Sequence, residues 1–135
     1  MSLKTVFDIA ATAATAQTTR LNTVASNLAN ADAAAGPDGR VFRAKQVVFQ
    51  AIPLARADGP QGVRVASVIE DNATPRRVHD PKHPFADEEG YVTLANVNVV
   101  EEMVNMISAS RAYQNAVEVM NTAKQLQLKA LTLGS

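Results

Sequence analysis

The last third of the chain has a hydrophobic pattern that predicts one long helix over residues 96–135. Apolar positions recur at alternating spacings of four and three residues, which is typical of a helix that packs along its length. They form two neighbouring seams: Val99, Met103, Met106, Ser110, Tyr113, Val117 and Met120 in the first, and Ala112, Ala116, Val119, Ala123, Leu126, Ala130 and Leu133 in the second. Because this apolar surface is too broad for one partner helix, we expect protein contacts on several sides.

Residues 3–30 show the same alternation of fours and threes and predict a second helix. Between Ile9 and Ala31 the only charged residue is Arg20, and threonine, serine, asparagine and glutamine occupy most positions that are not apolar. Such a segment is too polar to span a bilayer, and it has fewer charges than a solvated helix usually carries. The two helices lie at opposite ends of the sequence, which favours an antiparallel, coiled-coil-like pair with the middle of the chain as an insert.

The middle of the chain predicts a small β region. A cluster of turn-forming residues at 31–39 ends the first helix, and two β-compatible runs follow at residues 40–52 and 62–70, separated by proline and glycine residues. These runs would form a hairpin or part of a small sheet. Residues 71–90 are rich in proline and charge and predict an extended surface segment, and Tyr91–Leu94 predicts a short strand or an extended lead-in to the last helix.

The predicted fold class is therefore mainly α with a small β insert. We expect residues 1–31 to form the N-terminal helix, residues 32–95 the β-rich insert with extended loops, and residues 96–135 the C-terminal helix. Asn98, followed three residues later by a glutamate, resembles a capping box, and Gly134 is suited to end the helix.

Two helices alone cannot cover all of this apolar surface, so the uncovered seams favour assembly with other copies or homologues. The candidate subunit-interface residues are Leu21, Val24, Leu28, Val99, Met103, Met106, Tyr113, Val117, Met120 and Leu126. Gln17 and Ser110 are polar residues on apolar seams, which either are tolerated at the surface or fix the register of neighbouring helices. Arg20, Arg111 and Glu118 are isolated charges that would each need a partner in a packed assembly.

Composition narrows the class of protein. The chain has 135 residues, enough for one domain or for an elongated element with a small domain attached. Its 13 basic and 13 acidic residues give no net charge, and hence no basic surface for nucleic acid. The absence of cysteine excludes thiol catalysis, disulfides and cysteine-based zinc sites. We find neither the pattern of a cleaved signal peptide nor an apolar run long enough for a direct membrane span.

One segment contains residue types that support catalysis or metal binding. His79, Asp80 and His83 are suitable zinc donors, but the prolines of this segment favour an extended loop, and no third strong ligand lies at helical spacing. The acidic run of residues 87–89 is typical of a solvated turn. A small hydrolase that uses His79, His83 and these acids is the least favoured alternative. We therefore predict no catalytic residues, no metal site and no cofactor.

Both ends of the sequence resemble a known family. The stretch RLNTVASNLAN at residues 20–30 strongly resembles the N-terminal signature of the flagellar axial proteins of the rod and hook. The other half of that signature is similar to residues 96–104, 110–114, 121–124 and 131–134. In the middle, the resemblance is to short members of the proximal rod, at residues 42–45, 48–49, 62–65 and 91–97. The resemblance covers essentially the whole chain.

The resemblance implies a structural protein and not an enzyme. Such rod subunits leave the cell through the flagellar type III export apparatus without a cleaved signal peptide. Through their terminal helices they polymerise into a hollow shaft across the periplasm, which transmits torque from the membrane ring to the distal rod and hook. The implied partners are copies of the chain, other rod proteins, the membrane-ring side and rod-adaptor proteins of the basal body, and the export apparatus. The alternative is a cytosolic coiled-coil adaptor or a flagellar export chaperone, which would hold a partner with the same helices.

Overall fold

The computed structural model describes residues 1–134, and Ser135, the last residue of the predicted C-terminal helix, lies outside the described residues. Within that range there are two long helices and four strands. In chain order the elements are α1 (Leu3–Ala29), β1 (Lys45–Pro53), β2 (Gln61–Glu70), β3 (Arg76–His79), β4 (Tyr91–Leu94) and α2 (Val99–Leu133). Two terminal helices with a small antiparallel β region between them confirm the predicted class, mainly α with a β insert.

The helix α1 satisfies many of its polar groups internally. It begins after Ser2, whose hydroxyl oxygen accepts a hydrogen bond from the backbone N–H of Thr5 at 3.1 Å. Four threonine hydroxyls donate to backbone carbonyls one turn earlier, at distances of 2.7 to 3.1 Å; they belong to Thr12, Thr15, Thr18 and Thr23. This explains how a helix with so few charges can be rich in threonine.

The caps predicted for α2 are confirmed. The side-chain oxygen of Asn98 accepts a hydrogen bond from the backbone N–H of Glu101 at 3.1 Å, and the N–H of Gly134 donates to the carbonyl of Ala130 at 3.1 Å. The predicted start at residue 96 is wrong, because the helix begins only after Asn98. The side chain of Asn96 is bonded to the backbone of the insert, and Val97 is buried in a small core, so both residues are held outside the helix.

The two helices pack against each other in antiparallel orientation. Near the end of α1 the Asn27 amide donates a hydrogen bond to Glu102 at the start of α2, whereas Ile9, in the first half of α1, shares a groove with Val119 of the second half of α2. The buried residues of α2 recur every seven positions and are Glu102, Ala109, Ala116 and Ala123. The second predicted seam supplies two of these four residues and the first supplies none. Small side chains therefore line the middle of the helix pair.

The strands β1 and β2 form an antiparallel hairpin that lies along α1. Their pairing runs from Lys45 opposite Glu70 to Pro53 opposite Gln61. At one end of the hairpin the backbone of Lys45 is bonded to the side chain of Asn27, and near the other the backbone N–H of Val63 donates to the hydroxyl of Thr12. The first strand begins later than the run of residues 40–52 suggested.

The strands β3 and β4 form a second antiparallel pair, with Arg76 opposite Leu94 and His79 opposite Tyr91. Residues 71–90, expected to be only extended surface, thus also contain a strand. All four β3 residues are exposed, so no apolar alternation marks the strand in the sequence. Beside this sheet lies a small core that joins the ends of the insert to the helices, formed by Ala31, Ala44, Ala95 and Val97, with Phe42 packed against it.

Candidate subunit interface

The predicted interface residues differ in how much of each side chain the chain itself covers. Val24 is buried within the chain, and the half-buried members are Leu21, Leu28, Met106, Val117 and Met120. The exposed members, all on α2, are Val99, Met103, Tyr113 and Leu126. The exposed members offer a third to a half of their surface to another molecule, with Met103 the most exposed at 53%. Whether any of these residues lies between subunits stays a prediction.

The polar candidates have few partners inside the chain. The guanidinium of half-buried Arg20 lies 3.5 Å from the side-chain oxygen of Gln17, one turn earlier on α1. Ser110 is half-buried, and Arg111 and Glu118 are exposed. Among residues 1–134, none of the three charged candidates is in an ion pair. Their predicted pairing with charges of another molecule stays a prediction.

The first turns of α2 carry an exposed apolar stripe of which the predicted interface includes only Met103. Val100, Val104 and Ile107 are 71%, 60% and 56% exposed, and Met103 lies among them on the same face. Their spacing of three and four residues is the signal that could have found them. The predicted first seam is shifted one residue away from this stripe, since the apolar sequence around it fits either alignment. The stripe faces away from Ala109, which is fully buried toward the rest of the chain.

The last turns of α2 extend beyond α1. Asn27 bonds to Glu102, and Ala10 lines the same groove as Ala116, so Leu3 lies near the level of Ala123. From there to the end of the helix all residues are exposed; the leucines among them are Leu126, Leu128, Leu131 and Leu133. This projecting part, residues 124–133, is roughly 15 Å long at 1.5 Å per residue.

An open apolar groove lies between the two helices near the chain termini. Its volume is about 320 Å³, and it is lined among others by Val6, Ile9, Ala13, Ala112 and Val119. The alanines leave space that larger side chains would fill, so the groove is a second apolar surface next to the projecting end of α2.

Three polar side chains attach the insert to the helices: buried Asn27, half-buried Asn96 and exposed Arg76. The predictions from sequence give none of them this role. Asn27 joins α1 to β1 and α2. Asn96 accepts a hydrogen bond from the backbone N–H of Ala44 at 2.7 Å and donates to two carbonyls after β2. Arg76 donates to the carbonyl of Ala31 at 3.0 Å. Their contacts span many residues of sequence, so no local pattern reveals them.

The histidine-containing segment lies at the end of β3 and in the turn that follows it. The ring of His79 lies edge-on to that of Tyr91 at 5.0 Å, and the Arg77 guanidinium lies over the same ring at 4.8 Å. The carboxylate of Asp87 accepts hydrogen bonds from the backbone of Tyr91 and Glu89 and pairs with Arg77 at 2.9 Å. In the part of the chain that the structure describes, no three acidic or histidine side chains are grouped to hold a metal ion.

These contacts also lower the pKa of the Asp87 carboxyl. The backbone N–H of Tyr91 has the largest effect on the pKa of Asp87, which is lowered from its ordinary value. Desolvation opposes this effect, whereas the N–H of Glu89 and the guanidinium of Arg77 lower the pKa further. The carboxylate therefore stays ionised to lower pH than an ordinary aspartate, with its hydrogen bonds to the loop backbone intact.

Two family models match the two ends of the chain. Residues 7–37 match the model described as flagella basal body rod protein, and residues 88–133 match that described as flagellar basal body rod FlgEFG protein C-terminal. These matches cover most of α1 and all of α2. They define the class of protein as a component of the flagellar basal body.

Whole-length relatives narrow this class. The flagellar basal-body rod protein FlgC of Salmonella typhimurium is 56% identical over 134 residues, with 99% of both chains covered. The proteins of the same name from Escherichia coli O6:H1 and Yersinia enterocolitica are each 57% identical, again over 99% of both chains. The chain therefore belongs to the flagellar basal-body rod protein family.

Family membership decides between the alternatives. The resemblance found in the sequence is confirmed, and with it the prediction of a structural, non-enzymatic protein of the basal body. The alternative of an adaptor or export chaperone is not favoured by relatives that are all named as rod proteins. Within residues 1–134, neither helix has the length and apolarity needed to cross a membrane.

Proposed function

We propose that the protein is a structural subunit of the proximal rod and polymerises through α1 and α2 into the hollow shaft of the basal body. The observation that carries the proposal is the apolar surface of α2 that the chain leaves uncovered. It comprises the stripe around Met103 on the first turns and the leucines of residues 124–133. A helix with exposed apolar residues at both ends and an alanine-lined middle is suited to contact several neighbours at once.

Burial of this surface would drive assembly. Taking a large apolar side chain fully out of water at a subunit contact stabilises the assembly by roughly 1.5–3 kcal/mol. Val100, Val104, Ile107, Leu131 and Leu133 are each more than half exposed, so each would gain a large part of that amount at a subunit contact. Association costs on the order of 4–15 kcal/mol in lost freedom, which several such contacts per subunit would offset.

We propose a separate role in the rod for each terminal helix and for the insert between them. Residues 1–31 and 96–135 would form the rod core, with coiled-coil-like packing between subunits, and residues 32–95 would form the insert on its outer side. Torque would pass from the membrane ring to the distal rod and hook through many helix contacts in parallel. The exposed members Val99, Met103, Tyr113 and Leu126 are the first candidates for these contacts.

The remaining predicted residues would have secondary roles. The half-buried seam residues would shape the helix surfaces that neighbours meet, and buried Val24 would act through the packing of its own chain. Gln17 and Ser110 would fix helix register. Arg20, Arg111 and Glu118 would pair with charges of neighbouring subunits, because an unpaired charge inside an assembly costs several kcal/mol.

We also propose the route and the partners that this role requires. The subunit would leave the cell through the flagellar type III export apparatus without a cleaved signal peptide and would lie in the part of the rod that crosses the periplasm. Its partners would be copies of the chain, other rod proteins, and the membrane-ring side and rod-adaptor proteins of the basal body.

A matched pair of variants tests the proposal. Leu126 on α2 and Val68 on the hairpin are 47% and 46% exposed, so L126D and V68D place a charge at equally exposed apolar positions. Each variant is produced in a flagellated bacterium that lacks its own copy, and its presence in purified basal bodies is measured. We expect V68D to be incorporated and L126D to be absent. Both variants should keep their free energy of unfolding within about 1 kcal/mol.

Two outcomes would contradict the proposal. If L126D is incorporated as well as V68D, the projecting end of α2 is not an assembly contact. If even the unchanged protein is absent from purified basal bodies, the adaptor or chaperone alternative replaces the rod subunit.

A further inference from the structure

One buried asparagine joins three elements of the fold. Asn27 on α1 is 0% exposed. Its side-chain oxygen accepts a hydrogen bond from the backbone N–H of Lys45 at 2.9 Å, and its side-chain nitrogen donates to the carbonyl of the same residue at 2.8 Å. That nitrogen also donates to the carboxylate of Glu102 on α2 at 3.1 Å. Both ends of the amide are thus used, and they connect α1, β1 and α2.

The three contacts require a side chain that both donates and accepts. A carboxamide has one acceptor oxygen and a nitrogen with two hydrogens, which matches the Lys45 N–H, the Lys45 carbonyl and the Glu102 carboxylate. An aspartate at position 27 would lose both donors and would place a second carboxylate beside Glu102. An apolar residue would leave the backbone groups of Lys45 without these partners. Buried polar groups are seldom left without a hydrogen bond in folded proteins.

Glu102 supports the same orientation of the Asn27 amide as the backbone of Lys45 does. An ionised carboxylate only accepts hydrogen bonds, so the nitrogen of the amide has to face α2. This orientation places the amide oxygen where it meets the N–H of Lys45. If α2 moved away, the amide nitrogen would lose one of its two acceptors and would keep only the carbonyl of Lys45. The first turn of α2 also stabilises the negative charge of Glu102, which is 8% exposed.

Lys45 is the first residue of β1, so its attachment fixes where the hairpin starts. The second contact of the hairpin with α1, between Thr12 and Val63, lies near the other end of the hairpin. We propose that Asn27 is a positioning residue that couples the attachment of the β1–β2 hairpin to the pairing of α1 with α2. Within a rod, an inference that rests on the proposed function, this contact would hold the insert in one position relative to the helical core.

Replacement of the amide by an apolar group of similar size tests the attachment. N27L is compared with N22L, which makes the same change at an exposed asparagine on the same helix. Amide hydrogen exchange of the full chain is measured by NMR at Lys45 and along the hairpin. We expect exchange at Lys45 to be at least about tenfold faster in N27L, because hydrogen bonds of a buried group are lost, and unchanged in N22L. Equal protection in the two variants would overturn the proposal.

Exchanging the amide of residue 27 and the carboxylate of residue 102 tests whether Asn27 acts through its hydrogen bonds or only through the space it fills. N27D and E102Q change hydrogen-bonding groups with almost no change of volume. In N27D two carboxylates face each other, so exchange along the hairpin should accelerate. In the double variant the new amide on α2 can donate to the new carboxylate on α1, and a substantial part of the protection should return. If the double variant exchanges as fast as N27D or faster, Glu102 does not orient residue 27 and the proposal fails.

Failure of this inference can be told apart from failure of the proposed function. The exchange measurements use the free chain and need no assembly. Incorporation into basal bodies is measured with the unchanged protein and the L126D and V68D pair, all of which retain Asn27 and Glu102. A chain that is incorporated but shows no effect in N27L keeps the proposed function and loses only the positioning role.

Discussion

Thr12 and Val63 connect the first helix to the second strand through a single hydroxyl group. The Thr12 hydroxyl donates to the carbonyl of Ile9 at 2.7 Å and accepts a hydrogen bond from the backbone N–H of Val63 at 3.1 Å. Such a short link requires the strand backbone to approach the helix closely. The neighbouring residue Gly62 meets this requirement, since it is buried and has no side chain.

The close approach at Gly62 predicts a loss of stability in G62A. An added Cβ would lie 2.7 Å from the Thr12 hydroxyl oxygen and 3.2 Å from Leu54, so the hairpin has to shift away from α1. Overpacking of this kind destabilises by about 1–3 kcal/mol, which urea unfolding followed by circular dichroism measures. The control is G59A, whose new Cβ would have no neighbour closer than 3.4 Å. Equal stability of the two variants would show that the hairpin is not held closely at Gly62.

The alanine-lined middle of the helix pair predicts that A109L is destabilised. Ala109 is fully buried on the face of α2 toward α1, and a leucine there would force the backbones apart. We expect a decrease of about 1–3 kcal/mol in the free energy of unfolding, measured by urea titration. S108L places the same side chain at an exposed position one residue earlier and should change stability by less than about 0.5 kcal/mol. A109L as stable as S108L would mean that the helices are not closely packed.

The lowered pKa of Asp87 predicts how its loop depends on pH. Because the pKa in the folded state lies below the unfolded value of about 3.9, the contribution of the carboxylate is present above about pH 4 and is lost as pH falls through the folded pKa. The amide chemical shift of Tyr91 should therefore change as pH falls below about pH 4.

Two variants test the assignment of this titration to Asp87. D87N keeps an oxygen that can accept from the backbone but cannot ionise, so the low-pH change at Tyr91 should disappear. E88Q should retain it, since the structure shows no bond between Glu88 and this amide. A change that persists in D87N would assign the titration to another group.

Replacing Asn96 or Asn98 by alanine should increase amide exchange in different parts of the chain. Asn96 makes three hydrogen bonds to the backbone of the insert, so N96A should lower the free energy of unfolding by about 1–3 kcal/mol and speed amide exchange at Ala44. Asn98 caps the helix, so N98A should cost about 1 kcal/mol and increase exchange only in the first turn. If N98A also speeds exchange at Ala44, the two roles are not separate.

The helices, their caps and the hairpin could be predicted because the signals for them are local. Apolar spacing of three and four residues specifies a helix face, and Asn98 and Gly134 lie where caps are needed. The strand β3 could not be found this way, since Arg76–His79 is exposed and contains no buried face. It exists because its backbone pairs with β4, a partner that lies beyond a loop of charged and proline residues.

The predicted interface was harder to derive from sequence than the fold. Several apolar seams on α2 fit the same spacing, and only packing against α1 decides that Ala109 is buried while Val100 and Val104 are exposed. Asn27 and Glu102 are separated by 75 residues, so their contact follows from the antiparallel pairing and not from any motif. Polar residues with long-range partners are the part of the site that a single sequence does not reveal.

The two helices differ in mechanical support within the chain. One side of α1 is braced by α2 and another by the hairpin, which is fastened near residues 12 and 27. By contrast, residues 124–133 of α2 project beyond the helix pair, and all of them are exposed. A mechanical load on the subunit would deform this projecting end first. Its stiffness in a working shaft would therefore have to come from the molecules around it, whereas α1 is stiffened by its own chain.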